Sequence, residues 1–193
     1  MAGGVLAAGS STRFGRNKLL LHVDGESLVR RAVRAALDAG LDPVVVVIGH
    51  EADRIRAELS GLRARDVFNP DYALGMSTSV RAGVATLPPG VAAAVVQLAD
   101  MPRVTGQMLT SLVERFVETG ATVVASDYAG VQAPPTLYAR SLFPELGGME
   151  GDAGGKRVVR RHESDVVRVS WPAEALADVD REEDWEGLRP PTS

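Results

Sequence analysis

Short apolar runs that alternate with amphipathic helical patterns place the chain in the α/β class, with a mostly parallel sheet between layers of helix. Two of those runs, residues 44–48 and 92–98, are apolar or nearly so throughout, which suits strands covered on both faces. The first apolar run leads directly into a glycine-rich loop, and in a parallel sheet such a loop lies at the carboxyl end of its strand, where ligands bind.

The elements follow in order. Residues 4–7 read as the first strand. Ser27 is placed to cap a helix running to residue 39; Val29, Val33, Ala36 and Leu37 share its apolar face, and Gly40 ends it. Pro43 opens the strand 44–48. Residues 50–59 read as a second helix and 66–68 as a short strand, followed by turn chemistry at Asn69-Pro70-Asp71. Residues 77–87 form a third helical pattern, and Pro88-Pro89-Gly90 breaks the chain before the strand 92–98. Thr105 caps a long helix to residue 119 with Gly120 as its stop, and residues 122–125 are strand again. Beyond Asp127 the alternation loosens. A turn at 128–131, a break at Pro134-Pro135 and a short strand at 136–138 are expected. Short helices at 140–146 and 154–161, a strand at 166–169, a last helix at 180–188 and a tail at 189–193 complete the chain. No linker, repeat or low-complexity block intervenes, so one domain is expected over residues 1–193.

Composition bounds the function. Among 193 residues, Lys and Arg number 21 and Asp and Glu 25, a net charge of −4, which argues against nucleic acid held by bulk electrostatics. The 45% hydrophobic and 24% charged fractions are globular proportions. With no Cys, disulfides, thiolate zinc sites and a Cys nucleophile are excluded, and a reducing compartment fits. No stretch approaches the roughly 18 apolar residues of a membrane span, and no charged n-region precedes an apolar h-region at the N-terminus. A cytoplasmic protein is the expectation. Lys is scarce, and its only positions, Lys18 and Lys156, both fall inside the motifs described next.

The sharpest motif is Leu6-Ala7-Ala8-Gly9-Ser10-Ser11-Thr12-Arg13-Phe14-Gly15-Arg16-Asn17-Lys18. Its small residues let backbone N–H groups approach a polyphosphate, and Arg13 and Lys18 can neutralise it. It is not a P-loop, because Lys18 precedes Leu19 and lies three residues past Gly15. Nor is it the G-x-G-x-x-G dinucleotide fingerprint. The strand 92–98 runs into Ala99-Asp100-Met101-Pro102, which brings the Asp100 carboxylate to the same crevice, as a Mg²⁺ ligand or as a turn residue. Asp178 and Asp180, two apart, point to one side of an extended segment; Glu182, Glu183 and Asp184 read as first-turn acids of the last helix. Gly75-Met76-Ser77-Thr78-Ser79 offers hydroxyls to a helix start. Gly151-Asp152-Ala153-Gly154-Gly155-Lys156-Arg157, with Arg160 and Arg161, suits an anion or a solvated basic face. The three His show no pairing, and Trp171 and Trp185 read as packing residues.

Leu-Ala-Ala-Gly-x-Ser-x-Arg-Phe-Gly-x-x-Lys resembles the signature loop of the nucleotidyltransferases that handle molybdenum cofactor. The Ala-Ala-Gly form resembles the molybdenum cofactor (molybdopterin) cytidylyltransferase branch; the guanylyltransferase branch usually shows Leu-Ala-Gly-Gly. The resemblance implies a Rossmann-like three-layer nucleotidyltransferase fold and transfer of CMP from CTP to the cofactor phosphate, with pyrophosphate leaving. It implies catalytic roles for Arg13 on the β,γ-phosphates, Lys18 on the α-phosphate and Asp100. It implies nucleotide binding by Leu6, Ala7, Ala8, Gly9, Ser10, Arg13, Lys18, Gly75, Met76, Ser77 and Ser79. Mg²⁺ is implied at Asp100 with Asp180, or with Asp178 in its place. Gly151, Asp152, Gly154, Lys156 and Arg157 would line the acceptor side. The chain departs from the family pattern at Ala99 (usually Gly), Gly155 (Ala), Lys156 (Arg) and Ala133-Pro134 (often Gly-His). The implied partners are CTP, a molybdopterin-type phosphate acceptor, and a molybdoenzyme or its maturation factor. The same residues leave open GTP or another NTP, a sugar phosphate or methylerythritol phosphate as acceptor, an NAD(P)H-dependent reductase, and a non-catalytic cofactor-binding module.

Overall fold

The computed structural model describes residues 1–10, 14–151, 155–179 and 182–187. Strand β1 (Ala2–Ala7) leads through the glycine loop to a 3₁₀ turn (Lys18–Leu20) and a small hairpin, β2 (His22–Val23) and β3 (Glu26–Ser27). Then come α1 (Leu28–Asp38), β4 (Val44–Ile48), α2 (Ala52–Glu58), β5 (Arg65–Phe68), α3 (Met76–Ala85), β6 (Ala93–Leu98) and α4 (Gly106–Thr119). The last third holds β7 (Val123–Tyr128), β8 (Val131–Ala139), α5 (Phe143–Gly147), α6 (Lys156–Arg161), β9 (Val166–Trp171) and α7 (Glu182–Glu186). Seven strands form one sheet in the order β5-β4-β1-β6-β8-β7-β9. Every pairing in it is parallel except those of β8, which runs against both β6 and β7. This is the mostly parallel, helix-flanked sheet that the sequence predicts.

The period-two alternation of side chains divides the core. Val5 and Ala7 of β1, Val46 and Ile48 of β4, and Val95 of β6 pack with Val29 and Val33 of α1, Ile55 of α2, and Leu109 and Leu112 of α4. On the opposite face, Ala2, Ala94 and Val123 pack with Val80 of α3, Leu146 of α5, and Val158 and Val159 of α6. Local chemistry sets the helix ends. Ser27 Oγ accepts from Arg30 N (3.4 Å) and Thr105 Oγ from Met108 N (3.3 Å). Gly120 takes the left-handed conformation (φ 64°) that closes α4.

The break expected at Pro134-Pro135 is absent: β8 is continuous over nine residues. Consecutive residues Ala125 and Ser126 of β7 pair with Thr136 and Ala133, so the two prolines occupy a bulge where the ladder asks for no N–H donor. Their carbonyls are used instead. Tyr128 Oη donates to Pro134 O (2.9 Å) and Ser126 Oγ to Pro135 O (2.7 Å). The expected strand at 122–125 likewise runs on to Tyr128, because the hairpin turns only at Ala129 and Gly130, both at positive φ. The last helix covers Glu182–Glu186 among the described residues, within the range expected for it; residues 180, 181 and 188 lie outside the described residues. The β2–β3 hairpin went unforeseen, since strands of two residues leave no period to read.

From β1 the chain moves outward to β4 and β5 on one side and returns to β6 on the other. The carboxyl ends of β1 and β6 therefore flank a point where the winding direction reverses, and a crevice opens there. Leu6 and Leu98 are register partners at this crevice. Among the described residues, no helix is long and apolar enough to cross a membrane.

Candidate active site

Two cavities meet at the ends of β1 and β6, sharing Leu6, Met76 and Leu98 as a common wall. The first, about 430 Å³, is lined by the loop residues Ala8, Gly9, Ser10, Lys18 and Leu19, by Tyr72, Ala73, Gly75 and Ser79, and by Asp100. The second, about 520 Å³, adds Val80, Val96, Met101 and Tyr138 as an apolar floor. Gln132, Ala133, Pro134, Thr136, Gly155, Lys156 and Asp178 surround that floor.

Lys18 and Asp100 form an ion pair at 2.7 Å in the first cavity, both largely shielded from solvent. Lys18 opens a 3₁₀ turn capped by the buried Asn17, whose Oδ1 accepts from Leu19 N (3.1 Å), and Leu19 is anchored in the core. Asp100 follows Ala99, which is 1% exposed and donates its N–H to Leu6 O (3.1 Å). The methyl group of Ala99, where the family usually has Gly, thus fits the core. The Asp100 carbonyl accepts from Val179 N (3.1 Å), which fastens the segment carrying Asp178 beside it. Two hard oxygen donors are therefore brought to adjoining walls. Mg²⁺ commonly takes one or two carboxylates and completes its shell with phosphate oxygens and water, so the set fits that ion. No group of three or more His, Cys, Asp or Glu suited to a metal occurs among the described residues.

The opposite wall of the first cavity is built on a buried Asn. Asn69 Nδ2 donates to Thr78 Oγ1 (2.8 Å) and Ser79 Oγ (3.0 Å), and Asn69 Oδ1 accepts from Asp71 N (3.0 Å). Thr78 Oγ1 in turn shares its one proton between the carbonyls of Gly75 (2.8 Å) and Asp71 (3.0 Å). This network fixes the turn that carries Tyr72. Tyr72 lies against Gly49, where a Cβ would stand 2.7 Å from both Cβ and Cγ of Tyr72. The near end of a side chain cannot swing away cheaply. Gly49→Ala is expected to displace Tyr72 and to cost about 1–3 kcal/mol of stability, as overpacking does. A thermal melt checks it.

In the second cavity, burial pushes the Tyr138 phenol well above its ordinary pKa, with a hydrogen bond to Thr136 acting weakly in the other direction. It stays a neutral hydroxyl. Gly155 sits against it: a Cβ there would fall 1.9 Å from Tyr138 Oη. The large Tyr and the Gly that replaces the family's Ala are complementary.

Of the residues singled out in the sequence, Leu6, Ala8, Gly9, Ser10, Lys18, Gly75, Met76, Ser79 and Asp100 line the first cavity. Ala7 points into the core instead, as strand alternation requires. Ser77 is 1% exposed and lines neither cavity; its N–H donates to Gly151 O (3.3 Å), joining the start of α3 to the Gly151 turn. Ser79 lines the cavity, but its Oγ already accepts from Asn69. Lys156 and Asp178 line the second cavity, whereas Arg157 is exposed and lines neither. Arg13, Asp152, Gly154 and Asp180 lie outside the described residues. Tyr72, Tyr138, Gln132 and Thr136 were not foreseen. Only the turn signal before Tyr72 and the polar residues flanking Pro134-Pro135 hinted at them.

Comparison with known proteins agrees with this architecture. The MobA-like NTP transferase domain matches residues 3–166. The chain is 30% identical over 203 residues to the purine catabolism protein PucB of Bacillus subtilis (strain 168), covering 98% of this chain and 96% of that one. It is 31% identical over 148 residues to the bifunctional protein GlmU of Lactococcus lactis subsp. lactis (strain IL1403), which is 76% of this chain and 31% of that protein. The solved structure of the Mycobacterium sp. strain JC1 homologue of Mycobacterium tuberculosis Rv0371c superposes with a TM-score of 0.86 at 29% identity, covering 97% of this chain and 93% of that one. Rv0371c from Mycobacterium tuberculosis H37Rv, in complex with manganese, gives a TM-score of 0.79 at 27% identity, covering 97% and 96%. The chain belongs to the MobA-like NTP transferase domain family, nucleotidyltransferases with this Rossmann-like three-layer α/β fold.

Proposed function

We propose that the protein transfers CMP from CTP to the phosphate of a molybdopterin-type acceptor and releases pyrophosphate. The observation that carries this reading is the Lys18–Asp100 pair in a cavity that shares a wall with a second one. CTP occupies the first cavity, with the loop backbone at residues 8–10 and the Tyr72 wall on either side of it. The acceptor occupies the second, its body on the apolar floor and its phosphate drawn by Lys156. A phosphate oxygen of the acceptor attacks the α-phosphorus. The new P–O bond forms as the α–β bridging bond breaks, and pyrophosphate leaves with the electron pair. The nucleophile is already anionic, so no covalent enzyme intermediate is required.

Positioning and charge neutralisation carry such a reaction. Lys18 presents a compact ammonium to the α-phosphate oxygens as their charge grows, and Arg13 takes the leaving phosphates. Asp100 with Asp178 or Asp180 would hold Mg²⁺, which supplies Lewis-acid neutralisation of phosphate oxygens. The manganese complex of Rv0371c supports a divalent cation in this role. The Ala7-Ala8 form of the loop supports CTP over GTP. A molybdoenzyme or its maturation factor would receive the product.

Pyrophosphate release measured with each of the four NTPs, Mg²⁺ and molybdenum cofactor tests the reading. CTP is expected to be turned over fastest. A faster reaction with GTP would overturn the base assignment, and no release with any NTP would remove the proposal.

A further inference from the structure

The segment ending in α7 is fastened to Asp100 at one end and packs beside residues that flank Lys18 at the other. At one end, Val179 donates its backbone N–H to Asp100 O (3.1 Å), and its side chain is fully buried in a small cluster with Leu21, Val23 and Leu28. At the other end, the Trp185 indole N–H donates to His22 O (3.2 Å), and the indole packs on the same cluster beside Phe14. The Arg16 guanidinium, two residues from Lys18, lies 5.1 Å from the Trp185 ring centroid and 5.6 Å from that of Phe14. Such distances are within the range of cation–π attraction.

We infer that Trp185 is a positioning residue: by holding Arg16 it ties the glycine loop that carries Lys18 to the segment that sets Asp178 beside Asp100. Plain packing does not account for this arrangement fully. An indole needed only to cover Leu21 and Val23 has no use for a cation over its ring. The inference rests on the metal site proposed above. Loosening the tie would let the two carboxylates drift apart and weaken the hold on a metal–nucleotide complex, as loss of outer-shell partners does at other metal sites.

The test is Mn²⁺ binding in the presence of CTP, followed by electron paramagnetic resonance, on the full chain. Trp185→Ala is expected to weaken it roughly 10- to 100-fold in protein that circular dichroism shows to be folded at the assay temperature. Trp185→Phe, which keeps a ring for Arg16, is expected to recover most of the loss. Arg16→Ala, at an exposed residue, is expected to reproduce the loss and to be non-additive with Trp185→Ala. It keeps the test available if the Trp185→Ala protein does not fold. Wild-type Mn²⁺ affinity in Trp185→Ala or in Arg16→Ala, or strictly additive effects, would overturn the inference. Asp100→Ala separates the two levels. Loss of binding there with none in Trp185→Ala sinks only the role of Trp185, whereas full binding in Asp100→Ala sinks the metal site and the inference with it.

Discussion

Replacing Lys18 by Ala is expected to lower kcat by about 10²- to 10³-fold, while the Kd for CTP rises only several-fold. The reason is differential binding. On the proposed reading, a base and ribose seated against Tyr72 and the Asn69-braced turn would hold the nucleotide equally well before and during reaction. An ammonium at the α-phosphate matters most when that group carries its greatest charge. The expected loss corresponds to about 3–4 kcal/mol of transition-state stabilisation. Lys18→Arg is expected to restore little of it, because a planar fork cannot take the place of a compact point charge on a turn fixed by Asn17 and Leu19. Rapid-quench kinetics with an equilibrium CTP titration separates the two parameters. An unchanged kcat would remove the role given to Lys18.

Asp100→Asn has the second large expected effect. It keeps the size of the side chain and the backbone contacts to Val179, but removes the charge that pairs with Lys18 at 2.7 Å. As a ligand, a neutral amide binds Mg²⁺ far more weakly than a carboxylate. Turnover is expected to fall by at least about 10²-fold, with the Mg²⁺ concentration for half-maximal rate shifted upward by about tenfold or more. Excess Mg²⁺ should recover part of the rate. If Asp100 served only as a turn residue, Asp100→Asn would change the melting temperature and leave the Mg²⁺ dependence untouched. The Mg²⁺ titration therefore tells ligand from scaffold.

Much of the fold was legible because its signals are local and periodic. The all-apolar Val44–Ile48 and the Thr105 and Gly120 boundaries of α4 stand where the sequence puts them. What escaped was non-local. Two prolines signal a break, yet β8 runs straight through them, because the sheet partner fixes which N–H groups are dispensable. The cavity-facing loop residues were readable from the glycine pattern. Tyr72 and Tyr138 were not, since each earns its place through a distant glycine, Gly49 or Gly155, that makes room for it. Ser77 shows the converse: a motif hydroxyl that looks available in sequence is buried once α3 docks on the Gly151 turn. Trp185 read as packing because nothing in the linear order announces that it meets Arg16.

The most direct test of nucleotidyl transfer follows the label from CTP carrying ³²P at the α-position. The enzyme is incubated with that CTP, Mg²⁺ and molybdenum cofactor. The label is expected to move into a cofactor–CMP adduct, with one pyrophosphate formed per adduct and none when the acceptor is left out. Label that stays in CTP while added NADH is oxidised would contradict nucleotidyl transfer.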